Sequence, residues 1–156
     1  MKIEALLDSN VLIAMLVEAH EHHGPSLDLV SEGGTQFAIA AHSYAEAYST
    51  LTRRGERAPF QLTPEEAWAA LESVRAVTAL VGLTAPQTFE AIRSYAQSGG
   101  LGARLYDRLI GEAAVAHGIA RIVTWNVGHM RSLFPNLNVE TPKEFGKGPA
   151  AASVGQ

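Results

Sequence analysis

The hydrophobic rhythm of this chain changes most sharply near its start. Ile3, Ala5, Leu6 and Leu7 form an almost continuous apolar run, the pattern of a strand covered on both faces in a parallel sheet. From Val11 the period becomes helical, with Val11, Leu12, Met15, Leu16 and Ala19 on one stripe. The pattern predicts a buried strand over 3–7 and a helix from about Val11, leaving Asp8, Ser9 and Asn10 at the junction. Open α/β sheets bind ligands at such strand-to-helix mouths.

The rhythm keeps switching downstream. Pro25 suits the first turn of a short helix carrying Leu27, Leu29 and Val30, closed by Gly33-Gly34. Phe37-Ala38-Ile39 reads as a second strand and 41–51 as a helix whose core stripe is Tyr44, Ala47, Tyr48 and Leu51. A loop over 55–61 precedes Thr63-Pro64-Glu65-Glu66, which supplies an N-cap, Pro at the first helical position and an acid two residues on. In that helix Trp68, Leu71 and Val74 look like core positions. Ala79-Leu80-Val81 predicts a third strand, Thr84-Ala85-Pro86 a helix running to Gly99-Gly100, and Gly100-Leu101-Gly102 a hinge. A helix over about 103–117 stops at Gly118; Ile119–Val123 is the clearest later strand, and Leu137-Asn138-Val139 a last edge strand.

Composition narrows the class. With 156 residues, 47% hydrophobic and 18% charged, the chain suits one domain able to bury roughly two-thirds of its unfolded surface. That domain is expected over 1–145, with 146–156 a small, polar, disordered tail. There is no cysteine, which excludes disulfides and thiolate zinc sites. Neither a leader-like start nor an apolar run of about 18 residues is present, so a soluble, cytoplasmic protein is expected. The net charge of -4 means that any nucleic-acid binding must be local. Arg53, Arg54 and Arg57 sit where they complement a helix C-terminus. Arg104 and Arg108 flank an acid.

Several chemistries fail at the first junction. No glycine precedes Gly24 to cradle a phosphate; Asn10 stands where an aspartyl phosphatase would carry its second acid; and no lysine lies late in the fold except near the chain end. Asp8 then reads either as an N-cap or as a carboxylate for a hard cation. Glu46 stands three residues after Ser43, the spacing of a capping box, and spacing alone favours that role. Asp107 shares a helix face with Ile110, Gly111 and Ala114, so it needs a cation or hydrogen-bond donors to offset desolvation; Arg104 or Arg108 could serve as an ion-pair partner. His20-Glu21-His22-His23 lacks metalloprotease spacing and reads as a solvated corner.

Taken together, Leu7-Asp8-Ser9-Asn10, Ser43-Tyr44-Ala45-Glu46, Tyr106-Asp107-Arg108-Leu109-Ile110 and Thr124-Trp125-Asn126-Val127-Gly128-His129-Met130 resemble the motifs of PIN-domain ribonucleases. Within that group the chain looks most like the VapC toxins of bacterial type II toxin–antitoxin pairs, over about residues 3 to 145. The resemblance implies a three-layer α/β/α sandwich around a central, mostly parallel sheet, with acids meeting at the carboxyl ends of the strands. It implies Asp8, Glu46 and Asp107 as ligands of Mg²⁺ or Mn²⁺, reversing the spacing-based reading of Glu46. The fourth acidic position, commonly Asp, is Asn126, which can orient a ligand or water but supplies no charge.

The implied catalytic set is therefore Asp8, Glu46, Asp107 and Asn126, hydrolysing RNA phosphodiester bonds by a metal-activated water. One firm metal site and a weaker second one are expected. Ser9 and Thr124 are candidate supporting donors, and Ser9, Asn10, Arg104, Arg108, Thr124 and His129 candidate substrate contacts. A homodimer and a neutralising antitoxin that inserts a basic side chain among the acids are also implied. The alternatives are a metal-dependent nuclease or phosphatase of the same fold acting elsewhere, and a degenerate PIN-like module that binds RNA or protein without cutting.

Overall fold

The computed structural model describes residues 2–146. Five strands, β1 (Ile3–Leu7), β2 (Gln36–Ala40), β3 (Ala79–Val81), β4 (Arg121–Val123) and β5 (Asn138–Glu140), form one sheet in the order β3-β2-β1-β4-β5, and every pairing is parallel. The continuous apolar run at the start has its reason here: β1 is the central strand, flanked on both sides.

Alternation along the strands divides the interior into two cores. Ala5, Leu7, Phe37, Ile39 and Val123 face one side, with Val11, Leu12 and Met15 of α1 (Ser9–Leu16), Leu29 of α2 (His23–Ser31), Ala47 and Leu51 of α3 (Ala41–Thr52) and Ala67, Leu71 and Val74 of α4 (Pro64–Arg75). Leu6, Ala38, Ala40, Val81, Ile122 and Val139 face the other side, with Ile110, Ala113 and Ala114 of α6 (Arg104–Ala116) and Met130 of α7 (Val127–Leu133). α5 (Ala85–Gln97) packs on α6, and α8 (Pro142–Gly146) sets Phe145 at 5.3 Å from Phe37. The result is the expected three-layer α/β/α sandwich.

Local signals largely hold. Thr63 and Glu66 form a reciprocal capping box, as do Thr84 and Gln87. Three details differ. α1 ends at Leu16 because Val17 turns extended, so Ala19 falls outside the helix and is exposed. Trp68 is 59% exposed and not a core residue, because the buried stripe of α4 begins one position earlier, at Ala67. Tyr48 is likewise exposed, the buried face of α3 being Ser43, Ala47 and Leu51. α8 was not expected from the pattern. The tail expected over 146–156 lies outside the described residues except for Gly146, which closes α8.

Candidate active site

The junction after β1 is built from hydrogen bonds between adjacent strand ends. The Asp8 backbone N–H continues the ladder to the Val123 carbonyl at 2.9 Å, which brings Thr124, the residue after β4, beside Asp8. Asp8 also caps α1: its Oδ1 accepts from the Ser9 N–H at 2.7 Å, while Oδ2 accepts from the Thr124 hydroxyl at 2.8 Å. The cap and metal-ligand readings of this residue are thus compatible.

Asn10 and Thr124 lock the two strand ends together. The Asn10 amide donates to Thr124 Oγ1 at 3.0 Å and its carbonyl accepts from the Trp125 N–H at 3.0 Å. The Asn126 N–H donates to the same Thr124 oxygen at 3.0 Å. Thr124 is fully buried, so its hydroxyl acts on Asp8 and on the loop. The side chains of Asn10 and Thr124 are both engaged within the protein.

Glu46 reaches the same place from α3. The capping box is absent, since α3 begins after Ala40 and Ser43 lies inside the helix, buried, accepting a hydrogen bond from the Ser9 hydroxyl at 2.9 Å. Glu46 Oε1 also lies 3.2 Å from the Ser9 hydroxyl and 3.3 Å from His42 Nε2. Sequence spacing had concealed Ser43 as a helix cap; its true partner lies 34 residues earlier.

Asp107 comes from the opposite layer, in the first turn of α6. Neither arginine forms an ion pair with it: Arg108 bonds Glu112 at 3.0 Å and Ser94 at 2.9 Å and lies over the Phe134 ring, while Arg104 is exposed at the helix start. Its near neighbour is His129 Nδ1, 4.0 Å away, which is also 2.9 Å from the Asn126 amide nitrogen. Arg54 is turned to the loop after α3, bonding the Gln61 and Leu62 carbonyls.

The electrostatics of the three acids agree with this placement. Burial pushes the Asp8 carboxyl up to about 6 despite the Thr124 and Ser9 hydrogen bonds, with further upward pushes from Asp107 and Glu46. Glu46 is raised by burial and by Asp107, against the Ser9 hydrogen bond; Asp107 is raised by burial, against His129 and Arg104. Among the described residues, no Lys or Arg forms an ion pair with any of the three.

That donor set suits a hard divalent cation, which prefers carboxylate oxygens and retained waters. The acids are not drawn into a ready cage: among the described residues, no three His, Cys, Asp or Glu side chains stand close enough to hold an ion together. The histidines after α1 are engaged otherwise. His20 accepts from the His22 N–H, His23 Nδ1 lies 3.0 Å from the Ala14 carbonyl, and His22 stacks on Trp125 at 3.9 Å.

A parallel sheet ordered around its first strand, with Asp8 just after β1, Glu46 on α3 and Asp107 on α6, defines an α/β domain with an acidic site. The PIN domain matches residues 5–128, and the chain belongs to that family. No curated protein matches the sequence.

Solved structures share the fold. Mycobacterium tuberculosis VapC20, described as a Sarcin-Ricin loop cleaving toxin, is 15% identical with a TM-score of 0.65, covering 83% of this chain and 95% of that one. VapBC from Salmonella typhimurium, bound to DNA, is 21% identical with a TM-score of 0.64, covering 90% and 99%. VapBC2 from Rickettsia felis, bound to a promoter DNA fragment, is 20% identical with a TM-score of 0.61, covering 89% and 98%. The fold class and the family resemblance read from the sequence are both borne out.

Proposed function

We propose that this chain is a divalent-metal-dependent endoribonuclease and the toxin of a type II toxin–antitoxin pair. The observation that carries the reading is the buried Asp8 carboxylate, without a basic partner among the described residues, within electrostatic reach of Glu46 and Asp107. Three acids left without a cation fit a centre that acquires one.

Asp8, Glu46 and Asp107 are the residues that would hold Mg²⁺ or Mn²⁺, which when bound supplies Lewis acidity toward a phosphodiester and makes an attacking water more acidic. The chain's own groups prepare that surface. Thr124 and the Ser9 N–H fix both oxygens of Asp8, so its carboxylate cannot rotate freely. The Ser9 hydroxyl, 3.2 Å from Oε1 and 2.9 Å from the Ser43 hydroxyl, orients Glu46. Asn126 and His129, linked at 2.9 Å, form a polar edge beside Asp107. Arg104, exposed one turn before Asp107, is placed to meet a phosphate; Arg108, tied to Glu112, is less available. With Asn126 at the fourth position, one firm ion site and a weaker second one follow.

Mixed RNA incubated with Mg²⁺ should be cut by the native chain and spared by Asp8→Asn; equal cutting by both would remove the catalytic claim. A second reading, a PIN module that binds RNA or protein without cutting it, draws on Asn126 and on the open spacing of the acids. Binding without cleavage in the same assay would favour it.

The partner expectations belong to this proposal. Solved neighbours include toxin–antitoxin complexes, and an antitoxin with a basic side chain would complement the unpaired acids. A homodimer is the second partner state expected with this reading. We assign the chain one nuclease domain over 1–145 and a cytoplasmic location; no helix among the described residues is long and apolar enough to cross a membrane.

A further inference from the structure

Two aromatic stacks stand beside the acids, and their chemistry differs. In the first, Trp125 lies against His22, but its indole N–H is tied to the fully buried Ser26 hydroxyl at 2.8 Å and its ring packs against the core under α1 and α2. Its surface is spent on the fold. In the second, Tyr106 of α6 lies on His42 of α3 with ring centres 5.0 Å apart and planes 20° apart. Tyr106 nevertheless stays 45% exposed.

Two of the other three tyrosines are tied to the fold by their hydroxyls, while Tyr48 is exposed like Tyr106. The Tyr44 hydroxyl is 3.2 Å from the Thr78 hydroxyl, and Tyr95, buried, donates to the Leu101 carbonyl at 2.8 Å. Among the described residues, no such bond holds the Tyr106 hydroxyl. One face of its ring rests on His42, and the remainder is open to water.

Position then gives the ring a use. Tyr106 immediately precedes Asp107, and His42 lies one helical turn before Glu46, with Nε2 3.3 Å from Oε1. That nitrogen is buried and makes no well-aligned hydrogen bond, despite the short separation. The stack is therefore a rigid aromatic ledge on the rim of the acidic site, held by the same two helices that carry two of its acids. A flat, backed, half-exposed ring is the surface on which an unpaired base stacks.

We propose that Tyr106, backed by His42, is the stacking shelf for the base of a nucleotide next to the cleaved phosphodiester in single-stranded or looped RNA. This rests on the nuclease reading and extends it to substrate choice. Because stacking grows with ring area and makes no edge-specific bonds, the shelf favours purine over pyrimidine without reading one base.

The test separates the shelf from the chemistry. Binding of a fluorescent stem-loop RNA is followed by anisotropy with Mg²⁺ in an Asp8→Asn background, and cleavage is followed separately in chains that keep Asp8. Tyr106→Leu should weaken binding about tenfold, as loss of one base stack does, while Tyr106→Phe stays within about twofold of the parent. In cleavage the same loss should appear in KM and spare kcat. An abasic site beside the cut bond should weaken binding to the parent by a similar factor and add nothing to Tyr106→Leu. Equal affinity of Tyr106→Leu and the parent, or abasic RNA bound as tightly as the intact strand, would overturn the shelf and leave the nuclease reading standing. The abasic arm needs no Tyr106 variant, so a misfolding Tyr106→Leu does not rescue the idea. Cleavage by Asp8→Asn equal to native would overturn the nuclease reading instead, while the binding arms still decide the shelf.

Discussion

Asp8 shows how one side chain can cap a helix, brace two strands and still remain electrostatically unsettled. Its hydrogen bonds favour the ionised form, yet burial outweighs them and holds the carboxyl near 6, above the ordinary 3.8. The sign for stability follows from that elevation. With the folded value above the unfolded one, the favourable contribution is full below about 3.8 and is lost as pH rises through about 6. In metal-free protein, stability should therefore fall between roughly pH 4 and pH 7 by up to about 3 kcal/mol, and denaturant midpoints across that range measure it. Asp8→Asn should flatten the profile and raise metal-free stability at neutral pH by about 1–3 kcal/mol while removing cleavage. A variant less stable than the parent at neutral pH would mean that its hydrogen bonds outweigh the buried charge. Thr124→Val tests the other side of the balance. It removes a buried donor to Asp8 and should cost about 1–3 kcal/mol in chemical denaturation, and it should push the acid limb of any pH–activity curve to higher pH.

At the scale of elements, the close approach of α6 and α7 determines where Asp107 stands. Gly111 lies on the buried face of α6 one turn beyond Asp107, and a Cβ there would run into the Phe134 ring just past α7. Gly111→Ala should therefore destabilise by about 1–3 kcal/mol despite alanine's higher helix propensity. Thermal unfolding would read this directly, and a stabilised variant would mean that Phe134 swings away freely. The same element explains what periodicity could and could not reveal. The apolar and small neighbours Ile110, Gly111 and Ala114 marked the inward face from sequence alone. That neither flanking arginine pairs with Asp107 was not legible, because Arg108 turns to Glu112 on its own helix and to Ser94 on α5. For α3 the local pattern misled: Ser43 and Glu46 have capping-box spacing, but both side chains answer Ser9, a partner that no window of a few residues contains. Trp68 illustrates the limit in the opposite direction, since a large apolar side chain one position off the buried stripe of α4 remains in water. Tyr106 and His42 become recognisable only when α3 and α6 are seen to meet.

Across the whole molecule, metal binding and folding should be coupled through the three acids. An ion that binds only the folded chain stabilises it by about 2.7 kcal/mol at a hundred times its Kd, so Mg²⁺ or Mn²⁺ should raise the melting temperature of the native chain and leave that of Asp8→Asn nearly unchanged. The shift should grow between pH 5 and pH 8 if Asp8 is a ligand as proposed, because only its deprotonated form can coordinate. Equal shifts in both proteins would assign the stabilisation to general salt effects. The distance along the chain between paired groups carries one more consequence: Asp8 is held by Thr124, 116 residues later. During synthesis the first of these acids leaves the ribosome long before its hydroxyl partner exists. A nascent or prematurely terminated product that lacks β4 therefore cannot hold Asp8 in place, and the site takes shape only once β4 has been made.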